Sequence, residues 1–144
     1  MKINLKYILF IFLLYCETSN VQFFSATKVY EKCVDAVVLV STPNGTGTGF
    51  FINEEGYIIT NHHVIQNSLN RTLNASSITI KTKNGLTYKV VSVDDTPDFQ
   101  GLDIALLKIS AKELPVASIG DTSKLEVGEW VVAIGSPFGF TNSV

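Results

Sequence analysis

Two adjacent histidines, His62 and His63, close one apolar run (YIITNHHVI, residues 57–65), and an aspartate, Asp103, opens another (LDIALLKI, residues 102–109). An apolar strand that ends in a small polar pair and then histidine sets an imidazole on the rim of a sheet, where a substrate can reach it. An aspartate entering an apolar strand is costly to bury unless something pairs with it. Histidine is the natural partner. A carboxylate that accepts the Nδ1 proton fixes the ring tautomer and leaves Nε2 free as a general base. Asp103 follows His63 by 40 residues, room for two strands and a long loop that bring the chain back to the same edge. Taken singly, each residue has a plainer reading: a polar boundary histidine, or an aspartate that only terminates a strand.

Other chemistries are poorly supplied. Both histidines fall in one dipeptide, with no HExxH spacing and no cysteine cluster, whereas catalytic zinc takes three protein ligands, so no metal or other cofactor is expected. The glycine run Gly45, Gly47, Gly49 leads into a strand, and neither a Lys-Ser/Thr pair nor a helix N-terminus follows to receive a phosphate. Such glycines instead let two backbones approach at a barrel corner or beside a bound peptide. Cys33 has no local histidine to activate it and reads as a small buried hydrophobe. The sequons at Asn44, Asn70 and Asn74 matter only in a eukaryotic secretory cell.

The elements that must position these residues are short strands. Residues 27–36 place Val29, Cys33 and Ala36 at helical spacing, which predicts one short helix. Beyond it, β-branched and aromatic runs at 37–40, 49–52, 57–60, 78–82, 87–93 and 104–109 alternate with turn residues, and a further apolar strand is expected at 130–134. With no long helix between strands, the pattern argues for an antiparallel barrel or sandwich. Asn53 to Gly56 and Lys83 to Gly85 read as hairpin turns, and the polar stretch 66–77 as a surface loop.

Composition agrees with one folded domain. The 144 residues are 46% hydrophobic and 17% charged, and 11 Lys+Arg against 13 Asp+Glu leave a net charge of −2, which argues against electrostatic nucleic-acid binding. Lys2 and Lys6 precede an apolar run (ILFIFLLY, residues 8–15) of signal-peptide length, too short to span a bilayer. Export follows, to the periplasm or the extracellular space. Cleavage after Thr18 is one reading; a lipoprotein-like box ending at Cys16, which would leave the chain membrane-associated, is the other. Once the signal is removed, Cys33 has no intrachain disulfide partner, and roughly 120 residues remain, ample for one small barrel and short for two.

In order, GTGTGFFINEEGYIITNHHVI, DIALLKI and LPVASIGDTSKLEVGEWVVAIGSPFG resemble the N-terminal half of an HtrA/Deg-type, trypsin-like serine protease. Several segments agree in content, order and spacing, from about residue 27 to 144. The resemblance implies an all-β fold of two antiparallel barrels with a catalytic cleft between them. On that reading residues 1–18 are the signal peptide, 27–127 the first barrel and 128–144 the start of a truncated second barrel. Its TN-x-HV element places the catalytic base at His63, with His62 in a variable position where substitution is expected to be tolerated. Its D-[LI]-A-[LV]-L-K element places the orienting acid at Asp103.

The resemblance further implies peptide-bond hydrolysis in unfolded or misfolded proteins, as in protein quality control, and assembly as a homotrimer. Two departures stand out. The segment 94–102 is longer than the usual short turn, and brings Asp94, Asp95 and Asp98 close to the catalytic position, though only Asp103 is followed by the IALLKI strand. The family's GNSGGP element, which carries the nucleophilic serine and the oxyanion hole, is not in the sequence. Ser136, in GSPFG, matches a turn in which the family has no nucleophile. The chain by itself is therefore expected to be inactive. The alternative from another class is a single barrel that holds a peptide on the His63 rim without catalysis.

Overall fold

Four consecutive buried residues, Val37–Val40, begin strand β1 (Val37–Thr42). Only a strand covered on both faces can bury side chains that alternate in direction. The barrel interior covers one face. The other borders a groove lined by Cys33, at the end of the N-terminal helix, and by Ala117 and Leu125 of the segment after the last strand. The structure, a computed structural model, describes residues 25–95 and 102–135. Expectations at Cys16, Thr18, Asp98 and Ser136 fall outside the described residues.

Helix α1 (Ala26–Cys33) starts at Ser25, whose hydroxyl accepts the Lys28 N–H at 3.4 Å, an N-cap that satisfies one orphan donor. The helix expected to run through residue 36 instead tightens into a 3-10 turn at Val34–Ala36. Val34 and Ala36 are buried there, while Asp35 faces out to Lys83 Nζ at 2.8 Å. Cys33, expected to be buried, is half-buried beside an apolar groove lined by Val37, Phe50 and Leu125.

Strands β2 (Gly45–Phe51), β3 (Tyr57–Thr60), β4 (Thr79–Thr82), β5 (Thr87–Asp94) and β6 (Ala105–Ile109) complete a closed antiparallel barrel in the order β1-β2-β3-β6-β5-β4. The all-β expectation holds. Alternation sends Ile58, Ile80, Val90, Ala105, Leu107 and Ile109 inward around Phe51, which is fully buried. β2 begins at Gly45, earlier than the expected 49, because β1 supplies partners for the glycine run: Val40 faces Gly47 and Thr42 faces Gly45. The β2–β3 turn is held by Asn53 Oδ1, which accepts the N–H groups of Glu55 and Tyr57 at 3.1 Å. Gly56 adopts φ 93° there, and a Cβ at that position would come within 2.9 Å of the Ile109 carbonyl, so only glycine fits.

Two stretches depart from expectation. The 66–77 loop is partly organised: Gln66 and Thr72 form a bridge, Ala75–Ser77 a 3-10 turn, and Leu73 and Ala75 pack on the core. Its own side chains pair the backbone, as when Asn67 Oδ1 accepts the Leu69 and Arg71 N–H groups. The strand expected at 130–134 is absent from the described residues: no strand forms there, and Trp130 and Val131 are 79% and 76% exposed. A strand needs an edge to pair with, and closure of the barrel leaves none. The chain after β6 instead runs along the barrel exterior, where the Ala117 N–H donates to the Phe51 carbonyl at 2.9 Å.

Candidate active site

Register brings the two sequence-distant segments to one rim. In the β3–β6 ladder Thr60 pairs with Ala105. The strands are antiparallel, so the chain leaving β3 (Asn61, His62, His63) and the chain entering β6 (Asp103, Ile104) emerge at the same end of the barrel. Thr60 is buried with its hydroxyl satisfied by the Thr48 carbonyl at 2.8 Å. From there the backbone folds into a 3-10 turn, His62–Ile65. Ile65, fully buried, plugs the barrel end and anchors that turn, and its carbonyl accepts the Leu73 N–H at 2.8 Å.

The turn aims His63 at Asp103. His63 Nδ1 lies 2.6 Å from Asp103 Oδ2, and the His63 backbone N–H donates to Oδ1 at 2.9 Å. Each carboxylate oxygen thus receives a hydrogen from the same residue. Asn61 adds a third hold: its Nδ2 donates to the Asp103 carbonyl at 2.9 Å and to Oδ2 at 3.3 Å. The His63 N–H first, and its ring second, hold the Asp103 carboxyl below the usual carboxylate range, since each stabilises the ionised form. An ionised acceptor requires the hydrogen on Nδ1. Nε2 is then a lone-pair acceptor, and it has no hydrogen-bond partner among the described residues on a side chain that is 68% exposed. Such a ring can accept a proton from a group presented by a substrate or by another segment.

A profile of the trypsin-like peptidase domain matches residues 47–144, a span that includes both His63 and Asp103. The chain belongs to the trypsin-like peptidase family. Relatives described as "Probable periplasmic serine endoprotease DegP-like" extend the match. Those of Pseudomonas putida (strain GB-1) and Chlamydia trachomatis (serovar D) are 42% and 37% identical over 98 and 100 residues, each alignment covering 68% of this chain and 18% of the relative. The crystal structure of the serine endoprotease from Yersinia pestis superposes with a TM-score of 0.68 at 27% identity, over 83% of this chain and 42% of that one. These relatives put this trypsin-like peptidase region with the HtrA/Deg-type members. It spans less than a fifth of the length of those curated relatives, at 18%.

In this peptidase region a glycine sets how closely the histidine turn can approach. A Cβ on Gly47 would stand 2.5 Å from Val64 Cγ2 and 2.6 Å from Cγ1. Val64 follows His63 directly, and its β-branched side chain has little rotamer freedom with which to retreat. Gly47→Ala is therefore expected to destabilise the fold by about 1–3 kcal/mol, as overpacking does. Val64→Ala in the same chain should recover most of that loss in a double-mutant cycle read by urea denaturation. Additive losses would show that Gly47 is not required by Val64.

The His62 ring does not share Asp103, although the His62 backbone N–H also helps hold that carboxyl down. The ring Nε2 lies 3.3 Å from Thr72 Oγ1 and 3.5 Å from Asp95 Oδ2. Among the described residues no group of three or more His, Cys, Asp or Glu could hold a metal ion. Asn61 is a positioning residue that the sequence did not single out, while Gly47, expected to permit a close approach of two backbones, instead makes room for the Val64 side chain. The signals were the polar pair before the histidines and the spacing of the glycine run, but neither names its partner.

Proposed function

We propose that this chain carries the general base, His63, and the orienting acid, Asp103, of an exported HtrA/Deg-type serine endopeptidase that hydrolyses peptide bonds in unfolded or misfolded proteins. The observation that carries this reading is the 2.6 Å Nδ1 to Oδ2 contact beneath an exposed ring whose Nε2 is unpartnered among the described residues. In the mechanism it supports, Nε2 takes the serine hydroxyl proton as the oxygen attacks the peptide carbonyl. The same proton then passes to the leaving amine as the carbon–nitrogen bond breaks. Water repeats the cycle on the acyl-enzyme and releases the acid. Through both halves Asp103 holds the ring and stabilises the imidazolium.

The nucleophile and oxyanion hole come, on this proposal, from a GNSGGP element outside these 144 residues. Residues 27–127 form the first barrel and 128–144 belong to the second. The signal-like residues 1–18 and the periplasmic description of the relatives support export. Homotrimeric assembly is part of the same proposal.

A fluorophosphonate probe and a casein assay test it. The 144-residue chain should be neither labelled nor active, and a product of the same gene that continues through a GNSGGP element should be labelled at its serine and cleave casein. Labelling of Ser136 would overturn the assignment. A longer product that binds unfolded peptide without being labelled would make the barrel a non-catalytic holder.

A further inference from the structure

His62 stands beside the proposed base yet turns away from it, into a hydrogen-bond network of its own. Thr72 donates its hydroxyl hydrogen to Asp95 Oδ2. The His62 Nε2 faces both that hydroxyl oxygen, at 3.3 Å, and the same carboxylate oxygen, at 3.5 Å. On the other side of the ring, the Gln66 side-chain amide lies 3.5 Å from Nδ1 and 3.4 Å from the Asn70 carbonyl. Thr72 has spent its hydrogen on Asp95, and a carboxylate only accepts, so the hydrogen between His62 and this pair must come from the ring. Nε2 is therefore protonated, and Nδ1 accepts from Gln66.

The result is two neighbouring histidines in opposite tautomers. His63 carries its hydrogen on Nδ1 and gives it to Asp103; His62 carries its hydrogen on Nε2 and directs it to Asp95 and Thr72. Both sit on one four-residue 3-10 turn, His62–Ile65. The His62 ring ties the start of that turn to the residue that follows β5 and to the Gln66–Thr72 bridge. The Asp95 side chain is 37% exposed and that of His62 29%, so the pair is partly shielded from water, and its hydrogen bonds compete with fewer solvent partners than those of a fully exposed pair.

We propose that the His62–Asp95 pair, with Thr72, is a second imidazole–carboxylate clamp that fixes the His62–Ile65 turn so that His63 meets Asp103. His62 is then a positioning residue, acting through the turn. It also keeps a second imidazole from competing for the Asp103 carboxylate. The consequence for catalysis rests on the proposed function, whereas the tautomers and the clamp do not.

The test uses the 144-residue chain labelled with ¹⁵N-histidine, whose two histidines give two ring systems that the His62 variants assign. Long-range ¹H–¹⁵N correlations should report Nε2–H for His62 and Nδ1–H for His63. His62→Ala should speed exchange of the His63 Nδ1 proton with water by about 2–10-fold, the opening expected when one hydrogen bond that holds a turn is lost. His62→Gln, whose terminal amide can donate from nearly the position of Nε2, should restore most of the protection. A merely space-filling role would not make that distinction.

Asp95→Ala removes the acceptor from the opposite side and should match His62→Ala; it decides the matter if His62→Ala fails to fold. Unchanged exchange in Asp95→Ala, equal loss in His62→Gln and His62→Ala, or the same tautomer on both rings would overturn the proposal. A chain that shows both tautomers while its longer gene product lacks protease activity would leave the clamp standing and sink the protease reading.

Discussion

Replacing His63 by alanine should lower kcat for unfolded casein by about 10⁴-fold or more in a gene product that carries the nucleophile. The size follows from what is lost. No other described group occupies the position of Nε2, so the serine hydroxyl would have to lose its proton to water. The rest of the site should survive. The Asp103 Oδ1 contact is made by the His63 backbone N–H, which alanine keeps, and Asn61 still holds the other oxygen. The side chain is 68% exposed, so its removal leaves no cavity, and the turn stays anchored by the buried Ile65. Circular dichroism and the urea midpoint should therefore match the parent while turnover disappears. His62→Ala, which disturbs only the clamp, should reduce kcat by about 2–10-fold, with KM little changed. Comparable losses in the two variants would mean that the base has been misassigned.

Much of this site was legible in the sequence because its chemistry sits at strand ends. An apolar run that stops at histidine and another that starts at aspartate can be ordered on a sheet without coordinates, and the barrel adds the register, Thr60 opposite Ala105, that makes them meet. The resemblance to a known family then distinguished His63 from His62. What stayed hidden were partners. Asn61 reads as a small polar residue before a turn, and nothing in its type says that it reaches a residue 42 positions away. Asp95 reads as a competitor of Asp103, because nearness in sequence is visible and the direction of a side chain is not.

The same distinction explains the strand expected at 130–134. Hydrophobic pattern reports that a segment is suited to burial, but a strand forms only where an edge offers hydrogen bonds, and the six strands here satisfy one another around a closed barrel. The glycine run erred in the opposite sense. The apolar and aromatic run starts only at 49, whereas pairing with β1 extends β2 back to Gly45. In both cases the ladder, a property of two segments, overruled a preference read from one.

In a gene product that carries the nucleophile, the exchange Asp103→Asn changes almost no volume and should cost about 10⁴-fold in kcat, as loss of the correct histidine tautomer does in this class of site. The reason lies in which oxygen does what. Oδ1 accepts the His63 backbone N–H, an obligatory donor, so the introduced amide must place its carbonyl oxygen there. Its NH₂ then falls at the position of Oδ2, facing His63 Nδ1. A donor now confronts the ring nitrogen that should itself donate, and the imidazole responds by moving its hydrogen to Nε2. That atom can no longer accept the serine proton. The same NH₂ also meets the Asn61 amide, which donates to Oδ2 in the parent at 3.3 Å, so one of these donors must turn away and the brace from Asn61 loosens as well. Flipping the amide relieves the ring only by setting NH₂ against the His63 backbone N–H, so neither orientation recovers the parent geometry. ¹⁵N-histidine spectra of the 144-residue chain should show His63 changing from Nδ1–H to Nε2–H, with the fold unaltered because the Asp103 side chain is half exposed. An Asp103→Asn variant that kept Nδ1–H, or that retained more than about a tenth of the parent kcat, would mean that the carboxylate neither sets the tautomer nor stabilises the imidazolium, and Asp103 would lose its role as the orienting acid.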